Sequence, residues 1–149
     1  MSLQGGAAWL MLLAGGLWSG GILIVAVERT HHWSRMPVEQ YAIDFRRTLR
    51  RVDSVMPVLA GITLVGAVVY GVEGSGRRAT TALGGAVLVA GVIVSSIVIG
   101  GSINSRFLRL PEGVVPVDVE QLRARWHLFH CARTILAVAA FGCLAAAVA

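Results

Sequence analysis

Lysine is absent from this 149-residue chain, so all thirteen basic residues are arginine, and charged residues of either sign make up only 14% of it. Aromatic residues reach 7%, and there are four prolines and two cysteines. So little charge excludes an ordinary soluble domain, which must cover its core with polar side chains. Cys131 and Cys143 fall on one predicted helix, separated by about 18 Å of rise, too far for a disulfide; they read as small core residues. The sequence contains no Gly-x-Ser-x-Gly, no phosphate-binding glycine loop and no carboxylate pair within an apolar run. Hydrolytic and nucleotide-dependent chemistry therefore lack support. Nucleic-acid modules are missing too, and no nucleic-acid partner is expected. The formal charge of +5 sits in arginine clusters beside long uncharged runs, which suits anionic lipid headgroups better.

What is present is apolar: 56% of the residues are hydrophobic and the mean hydropathy is +0.73. Uncharged stretches at 5–27, 54–72 and 79–105 each approach or exceed the roughly 20 residues that a helix needs to cross hydrocarbon. A fourth, 126–149, is interrupted only by Arg133. The expected fold is all-α, a single integral membrane domain built as a four-helix transmembrane bundle. The first stretch lacks a basic leader and is too long for a signal-peptide core, so it is expected to stay as a helix. Six arginines lie between the first and second spans and four between the third and fourth, against Arg77 and Arg78 on the other side. By the positive-inside rule the Arg-rich connections face the cytoplasm, and both termini lie outside, as in a multi-pass protein of the bacterial plasma membrane.

The first connection carries its own helix over about 38–53. Val38, Tyr41, Phe45, Leu49, Val52 and Met56 recur at the spacing of one helix face, with Arg46, Arg47, Arg50 and Arg51 on another. This amphipathic helix either lies on the cytoplasmic surface or docks under the bundle. Pro37 suits its first turn and Pro57 marks the bend into the second span. Asp118 and Gln121 have the spacing of a capping box at the start of the last helix. Small residues at Gly15, Gly16, Ser19, Gly20 and Gly21, and again at Ser96 and Gly100, allow close helix approach, either inside the bundle or at a homodimer seam.

Polar residues within or near the spans carry the functional information. Arg133 lies inside the fourth span, where insertion scales charge about 2.5–3.5 kcal/mol for a central arginine. It snorkels to phosphate, pairs with Glu28, or serves a substrate. Trp126, His130 and Arg133 share one helix face, with His127 adjoining. The third span ends near the same level with Ser102, Asn104 and Ser105, and the first with Glu28, Arg29, His31, His32 and Trp33. Asn104 reads as a helix cap or a pocket donor, and His31, His32 and Trp33 as an interfacial loop with an aromatic anchor. Together they imply a polar pocket on the cytoplasmic side. His31, His32, His127 and His130 leave a transition-metal site open as an alternative; haem is disfavoured because one helix alone supplies histidines at depth.

The run Ile103-Asn104-Ser105-Arg106, a loop through Pro111, Pro116 and Asp118, and then Arg125-Trp126-His127-Leu128-Phe129-His130-Cys131-Ala132-Arg133-Thr134 resembles the anthrone-oxygenase-like family of small four-helix membrane proteins. The Gly-rich first helix and the Arg-bearing segment after it are similar as well. One departure is Ser102, where the family often has a proline two residues before the Asn. The resemblance implies oxygenation of a polycyclic aromatic ketone to a quinone with no cofactor. In that chemistry His130 would remove the benzylic proton, and Arg133 and Asn104 would hold the enolate oxygen. Trp126 would form a stacking wall, with His127, Glu28 and Trp18 as further substrate contacts for an aromatic or quinone-like molecule entering from lipid. The alternative is a non-enzymatic membrane protein that binds lipid, quinone or a partner complex.

Overall fold

The computed structural model describes residues 2–52, 54–111 and 113–149; the last residue of the predicted amphipathic helix, 53, lies outside this set. Among the described residues there are five helices and no strand: α1 Leu3–Arg35, α2 Val38–Val52, α3 Met56–Glu73, α4 Gly76–Leu108 and α5 Val119–Val148. Four of them, all except α2, are long and apolar enough to cross a membrane. They form a closed ring in which α1 packs on α3 and α5, and α4 on α3 and α5. Leu17, Val87 and Ile135 point outward with 65%, 71% and 69% of their surface exposed, as helices whose solvent is lipid require.

The first and third spans are longer than their uncharged runs. Helix α1 continues through Glu28 to Arg35, so His31, His32 and Trp33 stand on a helix and not in a loop. Nothing in that stretch breaks a helix until Pro37, before which Met36 turns extended (φ −75°, ψ 144°). Helix α4 likewise runs to Leu108, with no proline before Pro111, and the Ser102 hydroxyl donates back to the Ile99 carbonyl at 2.7 Å. Asn104 is therefore an interior helical residue and not a cap. Both long helices contain one widened π turn, Val25–Arg29 and Ser96–Gly100. Such turns act as one-residue insertions that rotate the following segment; in the first, the Thr30 hydroxyl donates to the Ala26 carbonyl.

Helix contact is close where glycine allows it. A Cβ at Gly66 would stand 3.0 Å from the Met11 backbone nitrogen and 3.1 Å from the Ala7 carbonyl, so α1 and α3 meet almost backbone to backbone. Gly15 and Gly16 face Thr63 and Phe141 within the bundle, whereas Gly20 opens onto free space.

Helix α2 is docked under the bundle rather than lying apart on the surface. Its Tyr41, Phe45 and Leu49 are buried with Trp33, Phe107 and Trp126, and Phe45 packs at 4.8–5.3 Å against all four neighbouring rings. Most of these contacts are edge-on, the arrangement that aligns ring quadrupoles favourably. The Trp33 indole N–H donates to Asp44 Oδ2 at 2.7 Å, and Arg29 reaches the same oxygen at 3.2 Å. Arginines then close two helix C-termini, whose last carbonyls lack helical partners. Arg123 Nη1 donates to the Trp33 and Met36 carbonyls at 3.3 and 3.0 Å, while its guanidinium lies 5.4 Å from the Tyr41 ring centre. Arg46 donates to the Phe107 carbonyl at 2.8 Å and to the Val114 carbonyl. Arg46 is thus buried at 5% exposure and is set apart from Arg47, Arg50 and Arg51, with which it was expected to share a face: its position on α2 faces the end of α4. The capping box at Asp118 does not form either, because Arg106 draws that carboxylate away at 3.1 Å.

The Tyr41 hydroxyl is buried with no hydrogen-bond partner among the described residues. Burial pushes this phenol up from its ordinary value, and the Arg123 charge only partly opposes it. A pKa raised in the folded state contributes stability that is complete below the unfolded value, about 10, and is lost as pH rises beyond it. Tyr41→Phe is therefore expected to leave the melting temperature at pH 7 unchanged or higher, since it removes an unsatisfied polar group. It should also reduce the fall in melting temperature between pH 8 and pH 11, measured by tryptophan fluorescence in detergent.

Candidate functional site

A cavity of about 260 Å³ lies at the Arg-rich end of the bundle, between the four spans and α2. Its size is just below the roughly 300–1,000 Å³ of drug-sized ligand sites. Helix α1 contributes Trp18 and Ile22, α2 contributes Phe45, Thr48 and Leu49, and α3 contributes Met56. Helix α4 brings Ser96 and Asn104 from its widened turn and the segment after it; α5 brings Trp126, His130 and Arg133. The lining is chiefly apolar and aromatic, with polar groups drawn from α2, α4 and α5.

The polar centre is a chain of contacts across three helices. His130, 1% exposed, stacks on Trp126 with ring centres 4.5 Å apart and planes 8° from parallel. Its Nε2 lies 3.2 Å from the Ile22 carbonyl and its Nδ1 lies 2.8 Å from Arg133 Nη2. A carbonyl can only accept and a guanidinium can only donate. The proton of the neutral ring is therefore on Nε2, and Nδ1 is the acceptor, an assignment that rests on these two partners. Arg133 Nη1 also donates to Ser96 Oγ at 3.5 Å, and the guanidinium stands 5.5 Å from the Phe129 ring centre. The charge is kept inside the bundle by an imidazole, a hydroxyl and an aromatic face.

The expected face of α5 is present: Trp126, His130 and Arg133 all line the cavity, and Trp18 and Asn104 join them. Glu28 and His127 do not. Glu28 is exposed and pairs with Arg29 at 2.9 Å instead of with Arg133, because α1 continues as a helix and turns this carboxylate outward. His127 is exposed and belongs to a separate hollow with Thr30, Glu120 and Arg123. His31 and His32 are exposed on α1. Among the described residues no three His, Cys, Asp or Glu side chains group in a way that could hold a metal ion, so the four histidines do not converge as the metal alternative requires. Sequence reasoning missed Ser96 and the Ile22 carbonyl as partners, and Phe45, Thr48 and Leu49 as the floor. In the sequence Ser96 stands out only as a small residue, and its pairing with Arg133 depends on the register between α4 and α5, which no local pattern reports.

The sequence profile of anthrone oxygenases matches residues 45–143, about two thirds of the chain. The chain belongs to the anthrone oxygenase family. Neither a curated protein nor a solved structure gives a match. The segment matched to the anthrone oxygenases begins at the α2 floor and includes Asn104, Trp126, His130 and Arg133, whereas Trp18 and Ile22 of α1 lie outside it.

Gly101 lines the cavity, and a Cβ there would meet nothing closer than the Ser96 carbonyl oxygen at 3.9 Å. Gly101→Leu should therefore fill the cavity without disturbing the backbone and should favour the helix. Titration with a planar aromatic ketone is expected to quench the fluorescence of cavity-lining Trp18, Trp33 and Trp126, and the variant to bind roughly tenfold more weakly or worse, a loss of about 1.4 kcal/mol. Equal binding by the variant would place the ligand elsewhere.

Proposed function

We propose that this protein is a membrane oxidoreductase that oxygenates a polycyclic aromatic ketone of the anthrone type, with no cofactor, in the cavity beside Arg133. The observation that carries this reading is the pairing of a guanidinium with the acceptor nitrogen of a buried imidazole on the wall of an aromatic cavity, in a chain of the anthrone oxygenase family. Such a pair suits a substrate that must both lose a proton and develop an oxyanion.

In the free protein Arg133 donates to His130 and Ser96. A ketone oxygen arriving in the cavity is a better-placed acceptor for the guanidinium, and its arrival releases the lone pair on His130 Nδ1. That nitrogen then takes one proton from the benzylic methylene. The electron pair left behind spreads through the rings onto the ketone oxygen, an enolate held by Arg133 with Asn104 as neutral donor. The Ile22 carbonyl, which accepts from Nε2, stabilises the imidazolium that forms. The carbanion next reduces O₂ by one electron, and recombination of the two radicals makes the carbon–oxygen bond of a peroxide. The peroxide anion takes back the proton held on His130 Nδ1 to become a hydroperoxide; Nδ1 then removes the second methylene hydrogen as a proton while the O–O bond breaks, giving the new carbonyl and hydroxide, which that proton converts to water. The balance is one CH₂ and one O₂ converted to one C=O and one water. Trp126 and Trp18 offer flat walls for the rings.

With ten of thirteen arginines at the cavity end of the bundle and Arg77 and Arg78 at the other, we place this end at the cytoplasmic face of a bacterial plasma membrane. The substrate reaches it from the lipid phase.

Purified protein in detergent is expected to convert anthrone to anthraquinone with one O₂ consumed per product, followed by absorbance and an oxygen electrode. His130→Gln should lower kcat roughly 10²–10⁴-fold and Arg133→Gln roughly 10²–10³-fold. Equal rates in wild type and both variants would remove this site assignment.

A further inference from the structure

The ring of spans has four seams, and at the level of the cavity three of them are shut. On the seam between α1 and α3 the Met56 side chain fills the space beside Gly21, where a Cβ would stand 2.9 Å from Met56 Cε. The seam between α4 and α5 is shut by Phe129, 3.1 Å from the Cβ position of Gly100, and by the bond from Arg133 to Ser96. His130 and the Ile22 carbonyl join α5 to α1. The seam between α3 and α4 differs. Near the turn that connects them these helices touch, with Leu83 Cγ 2.6 Å from where a Gly71 Cβ would stand, and farther along Ala60 and Val92 still belong to one buried core. Beyond Ser95, however, α4 packs on α5 and α2, and among the described residues it makes no comparable contact with α3.

The residues on either side of this gap line the cavity and are also exposed: Pro57 on α3, and Ile97 and Gly101 on α4. A residue that borders a cavity and the outside at once marks its mouth. One helical turn on from Pro57, a Cβ at Gly61 would meet nothing within 4 Å; one turn on from Ile97, a Cβ at Gly101 would meet only the Ser96 carbonyl oxygen of its own helix. The mouth opens toward hydrocarbon. Ile97 lies inside the uncharged run 79–105 of a span and is 69% exposed, and its neighbours Val94, Val98 and Ile99 are exposed with it, as on a surface turned to lipid.

Building on the oxygenation reading, we infer that the substrate enters and leaves the cavity sideways, through this window between α3 and α4, directly from the acyl-chain region of the bilayer. Its borders carry no charge: Pro57, Ile97 and Gly101, with Val52 and Met56 beside them. An ionised or sugar-bearing polycycle would lose its hydration there without a compensating partner. The substrate class narrows accordingly to an uncharged, flat aromatic ketone that dissolves in lipid. Ile97 is a specificity-determining residue of the entrance, held there by the widened turn Ser96–Gly100, which changes the helical phase of the residues that follow it.

An entrance and a wall respond differently to added bulk. Bulk at an entrance slows arrival and departure alike and leaves the dissociation constant unchanged, whereas bulk in the binding site weakens affinity. In a chain carrying Cys131→Ala and Cys143→Ala, Ile97→Cys or Val87→Cys is modified with methyl methanethiosulfonate or with the bulkier N-cyclohexylmaleimide. Anthraquinone in detergent micelles is then mixed in by stopped flow, and quenching of Trp18, Trp33 and Trp126, all on the cavity, gives both rate constants. The cyclohexyl adduct at position 97 is expected to lower both roughly tenfold at an unchanged dissociation constant. The methyl adduct, and either adduct at the lipid-facing position 87, 71% exposed on the same helix, should change neither. Should the cysteine-free chain fail to fold, Ile97→Phe against Val87→Phe in the natural chain makes the same comparison. The inference is overturned if bulk at position 97 leaves the rates unchanged, if it weakens affinity at an unchanged on-rate, or if bulk at position 87 slows them as much.

Failure of anthraquinone to bind at all would strike the oxygenation reading, and the window is then decided without it. In nanodiscs of phosphatidylcholine brominated on its acyl chains, Trp9→Phe removes the exposed tryptophan and leaves the three on the cavity, which chain ends entering an open window quench. Relief of that quenching by the cyclohexyl adduct at position 97 and not at position 87 upholds the window; equal quenching with both adducts overturns it.

Discussion

A single positive charge inside an apolar bundle sets the conditions that the rest of the molecule satisfies. Arg133 lies within the apolar run of α5, where a guanidinium costs up to about 2.5–3.5 kcal/mol to insert, the figure for the bilayer centre, unless it is given acceptors and a polarisable surface. It finds them in His130 Nδ1, Ser96 Oγ and the Phe129 ring. Once Nδ1 accepts, the ring proton must sit on Nε2, and Nε2 in turn needs an acceptor from α1, which is the Ile22 carbonyl. One ionised side chain therefore fixes a tautomer, and through it the distance between three helices. The two widened turns fall beside this chain of contacts, one starting three residues after Ile22 and the other starting at Ser96 itself. A local insertion in each long helix is how α1 and α4 bring their polar atoms to the level of α5 while keeping apolar faces toward lipid below it.

The second constraint is the floor. Helix α2 lines the cavity on its Arg-rich side with Phe45, Thr48 and Leu49. The floor is held from both sides: ring contacts among Trp33, Tyr41, Phe45, Phe107 and Trp126 on the inner face, and arginine side chains on helix ends at the rim. Arg123 closes α1 and Arg46 closes α4. Arginine suits this work because its fork reaches two carbonyls at once and stays charged when partly buried. The arginine bias of the connections therefore has a structural share besides the topological one. Trp126 joins floor and site, packing against Trp33 and Phe45 on one side and His130 on the other.

Much of this could be read in the residues. The four apolar runs, the amphipathic stripe from Val38 to Val52 and the common face of Trp126, His130 and Arg133 follow from helical periodicity alone, and the structure has each of them. The charged residues Glu28 and Arg29 misled the placement of the first span's end, because a charge marks a hydrophobic boundary and not a helix boundary; α1 stops at the proline instead. The Asp118 cap failed for a related reason. A local pattern cannot report that Arg106, twelve residues earlier, offers a stronger partner. Glu28 and His127 stand outside the cavity because of rotation: one residue of helical phase separates a wall of the cavity from the outside, and for Glu28 that phase is set within the widened turn of α1, which leaves no mark in composition. Ser96, Thr48 and the Ile22 carbonyl were unreadable because what they touch depends on how helices far apart in sequence align.

The protonation pattern of His130 is the decisive feature of the site, and nitrogen-15 NMR of histidine-labelled protein in lipid bilayers reads it directly. The structure predicts a neutral ring with a protonated Nε2 and an acceptor Nδ1 whose resonance is displaced by the guanidinium and moves when Arg133 is replaced by glutamine. A proton on Nδ1, or an Nδ1 resonance indifferent to Arg133, would contradict it.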